Sequence, residues 1–321
     1  MRGLVRVELT RLRWRRAVLL LLLACLVVPV LIAAATLWDT RPVSEAEKAE
    51  IRASSTQEIA RCERKPRQYG VRPARAETRC AELVVEWQTA RRDLSLARER
   101  TGSGVGVAGV LVVLLMLTAT TFAGHDWNSG SISNQLLFRP RRGRLWAAKA
   151  IAVTGVALVA AAVVSTAYWL TMWATMRARD LPMLDGALTD SLAQGLRGAG
   201  LAAVAALGCY ALTMLLRSTV ATLGVVLAFG FASLFLVEAL PVSGRWEPLD
   251  NAAAVLRNGT EYYVDVPPSC YDGRYRDRPA EGSTCDETRE LPGWQGASYY
   301  GAGVLLVGAA SVLSFRRRDV P

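Results

Sequence analysis

His125 is the one histidine in this 321-residue chain, and the lysines are Lys48, Lys65 and Lys149. That inventory restricts the chemistry. A zinc protease needs H-E-x-x-H, which a single histidine cannot supply. Ser-His-Asp hydrolysis would have to use His125 as its base. No lysine falls within G-x-x-x-x-G-K-[ST], so no phosphate-cradling loop is present, and neither a metal nor a nucleotide is expected on this chain. Gly102, Gly104, Gly106 and Gly109 cluster at the head of an apolar run, where Gly102-x-x-x-Gly106 is the spacing of close helix packing. An enzyme working at the membrane face would have to draw on loop acids such as Asp265 and Asp272. The chain is therefore expected to be no enzyme.

The elements around these residues are apolar. Hydrophobic residues make up 52% of the chain and the mean hydropathy is +0.23. They are grouped into runs long enough to span lipid: 17–38, 104–123, 150–175, 198–216, 220–240 and 298–315. In lipid each backbone amide needs an internal partner, so the runs predict six transmembrane helices in an all-α membrane protein. The first run is too long for a secretory signal, and Leu37-Trp38-Asp39 lacks a small-x-small cleavage site, so it reads as a retained anchor.

Charge sets the expected orientation. Arg2, Arg6, Arg11, Arg13, Arg15 and Arg16 precede the first run against Glu8 alone. Arg139, Arg141, Arg142, Arg144 and Lys149 crowd residues 125–149, Arg217 lies between runs four and five, and Arg316, Arg317 and Arg318 end the chain. The positive-inside rule puts these segments and both termini in the cytoplasm of a multi-pass plasma-membrane protein. The net charge of +10 flanks spans and forms no separate basic domain, so no nucleic-acid partner is expected. Membrane lipid is.

Cysteines agree with that orientation. Cys25 and Cys209 lie inside apolar runs and read as small buried residues. Cys62 and Cys80 fall in one outer segment, 39–103, and Cys270 and Cys285 in the other, 241–297, which predicts one disulfide in each. In 39–103, Ser44-x-x-Glu47 reads as a capping box, Pro66, Gly70 and Pro73 break the pattern, and a second helix resumes at Ala76. The expectation is a disulfide-pinned helical hairpin whose mixed charges form a solvated face. In 241–297, a short helix over "EPLDNAAAVLRNG" precedes tyrosines that suit an interfacial lid or gate.

Residues 125–149 remain, between the second run (104–124) and runs three to five (150–240). Asp126, Asn128 or Ser129 can cap a short helix, Ile132 and Leu136 share one face, and Pro140 ends it. The pattern Asp126-x-x-x-Gly130-Ser131-Ile132, Leu136-Leu137, Arg139-Pro140-x-x-x-Arg144 and Lys149 resembles the cytoplasmic coupling region of type 2 ATP-binding-cassette (ABC) export permeases. The motif covers about 25 residues, while the six-span plan is similar over the whole chain.

The resemblance implies a permease subunit driven by a separate cytoplasmic ABC ATPase, which carries the ATP and Mg. It implies pairing with a second permease copy or a paralogue, and export of an unidentified substrate, expected to be hydrophobic or amphipathic. Asp126, Gly130 and Ser131 would shape the helix start, and Trp127, Ile132 and Leu136 would dock it. Arg141 and Arg144 would meet acidic or phosphate groups. A different class of reading is a membrane-anchored sensor or scaffold that uses the outer hairpin as its interaction module.

Overall fold

The apolar runs fold as helices because lipid offers no hydrogen-bond partner to an open backbone. The computed structural model describes residues 1–138, 140–239, 244–264, 266 and 285–317. Its first half contains α1 (Arg2–Arg13), α2 (Arg16–Asp39), α3 (Glu45–Ser54), α4 (Thr56–Arg64), α5 (Ala76–Gln88), α6 (Leu96–Glu99) and α7 (Ser103–Asn128). Then come α8 (Ser131–Phe138), α9 (Arg142–Ala178), α10 (Ala187–Leu216), α11 (Thr219–Ala239), α12 (Pro248–Arg257) and α13 (Gly293–Arg317). A short antiparallel ribbon pairs β1 (Thr260–Tyr263) with β2 (Thr288–Leu291), Thr260 opposite Leu291.

Among the described residues, five helical stretches are long and apolar enough to cross a membrane: α2, Leu96–Asn128, α9, α10 and α13. The protein is thus a helical, membrane-spanning protein. In α11 the apolar stretch within the described residues, Thr219–Ser233, is shorter. The 37-residue α9 is about 56 Å long at 1.5 Å per residue, so it projects beyond a 30 Å hydrocarbon core. Sequence hydropathy alone placed its start at residue 150. The preceding Arg142–Lys149 stretch is helical as well, because it packs against α1 and α13.

α10 is the central helix, packed on α7, α9 and α13. Small buried residues, Ala199, Ala202 and Ala206 among them, let the backbones approach. The expected Gly102-x-x-x-Gly106 contact is absent: Gly106 has open space, and Gly104 makes the close approach instead. A Cβ at Gly104 would lie 2.5 Å from the Trp169 ring.

Contacts between helix ends divide the bundle into two ends. At one, Arg142 Nη1 donates to the Phe315 carbonyl at 3.5 Å and Trp146 Nε1 to Ser311 Oγ at 3.1 Å. At the other, Arg179 Nη1 donates to the Thr40 carbonyl at 2.7 Å, and Arg100 pairs with Asp190 at 2.9 Å. The N-terminal helix and the described end of α13 lie together at the first end.

Residues 40–102 form a helical hairpin at the second end. Ser44 Oγ accepts from the Glu47 amide at 3.2 Å, which caps α3. The first arm breaks at Ser55, whose hydroxyl donates to Gln88 Oε1 of the opposite arm at 3.0 Å. The second arm stops at Gln88, after which Leu94 and Leu96 enter the main core. Cys62 and Cys80 are joined, with Cα atoms 5.7 Å apart. Trp87 of the second arm is 63% exposed. Closing an 18-residue separation stabilises the hairpin by about 3 kcal/mol in the chain-entropy model. Cys62→Ala/Cys80→Ala should therefore raise tryptic cleavage at Arg67 and Arg75 at least tenfold while the spans stay protected. Unchanged cleavage would show that Val71 and Tyr69 packing holds the arms alone.

The second inter-span segment opens with α12, as its sequence predicts, and ends on left-handed Asn258. The β1–β2 ribbon was not foreseen. Cys285 is disulfide-bonded, while Cys270 lies outside the described residues, as do Asp265 and Asp272. Glu247 and Asp250 stand side by side at the start of α12. Partial burial, reinforced by Asp250, raises Glu247 above its ordinary 4.5, and partial burial raises Asp250. The folded state therefore binds protons more tightly than the unfolded. That contribution is full at pH values below the ordinary carboxylate range and is lost as pH rises through the raised values. Intrinsic-rate-corrected amide exchange across 248–257 should be slower at pH 5 than at pH 7, and Asp250→Asn should flatten the difference.

Candidate functional site

The first end of the bundle brings together most of the residues singled out between 125 and 149. Asp126 does not begin a new helix. It lies in the last turn of α7, fully buried. One carboxylate oxygen accepts from Lys149 Nζ at 2.5 Å, and the other pairs with Arg15. Lys149 Nζ also donates to Glu8 Oε2 at 2.7 Å, and Arg15 Nη1 donates to the Phe122 carbonyl at 2.5 Å. The Phe122 ring lies under both cations, 4.7 Å from Arg15 and 5.3 Å from Lys149. Two acids thus face Lys149 and Arg15, with Arg11 3.8 Å from Glu8, in a site largely shielded from solvent.

Four helices meet there. Glu8 comes from α1, Arg15 from the junction of α1 and α2, Asp126 from α7 and Lys149 from α9. Burying the ammonium is costly unless its charge is matched, and here each charge has opposite-sign partners within hydrogen-bond reach. Tyr210, fully buried beside this cluster in α10, donates to the Trp146 carbonyl at 2.9 Å. The arrangement joins the helices through charge-matched contacts. Among the described residues, no group of three or more His, Cys, Asp and Glu converges to hold a metal.

Sequence reading missed Glu8 and Arg15, which looked like members of a basic arm. A signal was present: Leu4, Glu8 and Leu12 recur at four-residue spacing on the buried face of α1. An acid on an apolar stripe needs a buried cation, and Lys149 is that cation.

Beyond Asp126 the chain turns at Gly130, whose φ of +66° favours glycine. A Cβ there would meet nothing within 4 Å, so left-handed backbone, not clearance, is the reason for glycine. Close approach instead occurs at Gly124, where a Cβ would sit 1.8 Å from Thr219 Oγ1 of α11. Ser131 opens α8 and its Oγ accepts from Gln135 Nε2 at 2.9 Å. The helix therefore runs Ser131–Phe138 and begins after all three candidate caps, Asp126, Asn128 and Ser129.

The expected docking residues point inward. Ile132 is 1% exposed, and Leu136 packs against the same core. Trp127 meets the Phe315 ring edge-on at 6.1 Å, with Arg217 4.8 Å from its face. The outward surface comes from residues not chosen: Leu137 and Phe138 are 80% and 87% exposed. Pro140, Arg141 and Arg144 are exposed beside them, and Arg139 lies outside the described residues. The segment is therefore a short helix anchored by Ile132, with an apolar tip and a basic flank. Protein-family models, characterised proteins and solved structures yield no match to the chain.

Proposed function

We propose that this chain is the membrane-spanning subunit of an ABC exporter of the second type, powered by a separate cytoplasmic ATPase. On this reading α11 completes six spans, both termini face the cytoplasm, and the 39–103 and 241–297 segments face outward. Cys270 would pair with Cys285, and two permease copies or paralogues would line the path for a hydrophobic or amphipathic substrate.

One observation carries the reading. α8 presents the exposed Leu137 and Phe138, while its root joins a buried ion cluster that ties together α1, α2, α7 and α9. Force applied to the tip of α8 would reach three span-forming helices through short, charge-matched contacts, as a lever requires. The chain's lack of a G-x-x-x-x-G-K-[ST] loop fits a motor on another polypeptide.

Purification in mild detergent from the native membrane should bring down a nucleotide-hydrolysing subunit in near-stoichiometric amount. Arg141→Glu/Arg144→Glu should leave that subunit's basal ATPase rate within about twofold but abolish its stimulation by transport. A complex that moves substrate with no such companion, or full coupling in the double variant, ends the proposal.

A further inference from the structure

A groove of about 410 Å³ opens where α2 begins and α7 ends. Trp14, Arg15, Arg16, Thr121 and His125 line it, and a second groove of similar size continues from Thr121 and His125 to Ser129. Its level is set by the sequence. The apolar run of α2 starts at Ala17 and that of α7 stops at Ala123, and the Arg15–Phe122 hydrogen bond holds the two ends in register. In a bilayer that level is the headgroup layer.

The charges facing the groove are not all spent. Arg15 is committed to Asp126. Arg16 and His125 are exposed, and their side chains take no hydrogen bond or ion pair among the described residues. Trp14 is 78% exposed at the rim, as suits an indole at a membrane interface. Directly below, on the bilayer side, Leu19, Leu20 and Leu23 are 47%, 66% and 54% exposed along α2. Cations stand at the top and a bare aliphatic strip runs beneath, the shape of an acidic amphiphile.

We propose that this groove is a binding site for an anionic glycerophospholipid. Arg16 and His125 hold the headgroup phosphate, the Thr121 hydroxyl donates to a phosphate oxygen, and an acyl chain lies along Leu19, Leu20 and Leu23. A zwitterionic lipid would bring its own ammonium against Arg15 and Arg16, so a net negative headgroup is selected. Bound there, the lipid touches both helices that carry the Arg15–Asp126 pair.

Native mass spectrometry of the full-length protein, titrated with phosphatidylglycerol or phosphatidylcholine in detergent, tests this. One phosphatidylglycerol should be retained about tenfold more tightly than phosphatidylcholine. Arg16→Gln should weaken that retention about fivefold, as expected near a membrane for about 1 kcal/mol per basic side chain. Arg16→Gln/His125→Ala should abolish the preference, and Thr121→Val, which removes no charge, provides a milder second variant. Arg67→Glu, in the distant hairpin, should change nothing. Equal retention of the two lipids, or an unaltered preference in Arg16→Gln/His125→Ala, overturns the site. So does displacement of the lipid by millimolar inorganic phosphate, which would mark a small-anion site without acyl recognition. A second protein copy burying Trp14 and excluding both lipids would overturn it as well.

Discussion

Lys149→Met should destabilise the protein by about 3–5 kcal/mol, the cost of leaving a buried pair's partner uncompensated. The substitution preserves much of the volume but strands Glu8 and Asp126, at 2% and 0% exposure, as like charges close together. Arg15 can still neutralise Asp126, whereas Glu8 keeps only Arg11, 3.8 Å away and partly exposed, so Glu8 bears most of the penalty. The expected response is release of α1 from α9, because Glu8 is the buried polar contact of α1 in that packing. Thermal unfolding in detergent should shift down sharply, and protease should reach Arg2, Arg6 and Arg13. The conservative control separates charge from shape: Glu8→Gln/Lys149→Met removes both members of the broken pair, leaves Arg15–Asp126 intact, and should recover most of the lost stability. If Lys149→Met unfolds like the native protein, water or rearrangement must reach the cluster, and its rigidity is disproved.

This cluster also marks the limit of what the sequence discloses. Five of the six apolar runs were legible as span-length helices because runs of about twenty residues are a strong, local signal. The Cys62–Cys80 bridge was legible because each cysteine sits on its helix's apolar stripe. Asp126 and Lys149 were noticed, but not their pairing, because spacing reveals that two residues share a segment and not which way it faces. An acid near a turn is more often a cap than a buried ion, and only the packing of α1 on α9 decides otherwise. Glu8 lies more than a hundred residues from Lys149, so no local pattern links them. The outward face of α8 was inverted for a similar reason. Ile132 and Leu136 have the spacing of a docking stripe, but that stripe met the bundle's own core. Amphipathic periodicity cannot distinguish burial within the chain from burial against a partner.

Leu137→Asp/Phe138→Asp should then give the largest functional loss among exposed positions. Each side chain is mostly exposed in the isolated subunit, and burying either against a partner contributes about 1.5–3 kcal/mol. Aspartate forfeits that contribution and adds a charge to be desolvated. A combined loss of at least about 2 kcal/mol means roughly 30-fold weaker retention of the ATPase subunit proposed above. The protein itself should keep its thermal midpoint, since neither side chain has packing to lose. Two alternatives predict otherwise. If α8 inserts its tip into the headgroup layer, the double variant will retain the ATPase but float less well with vesicles. If the tip packs on a second copy of this chain, the variant will lose dimer and keep the companion. Only the combination of an unchanged midpoint, an unchanged copy number and a lost ATPase is consistent with α8 as the point of force transfer. The basic flank sharpens the distinction: Arg141 and Arg144 should add a salt-dependent share to retention of an acidic partner surface, whereas the contribution of Leu137 and Phe138 should strengthen slightly in sulfate.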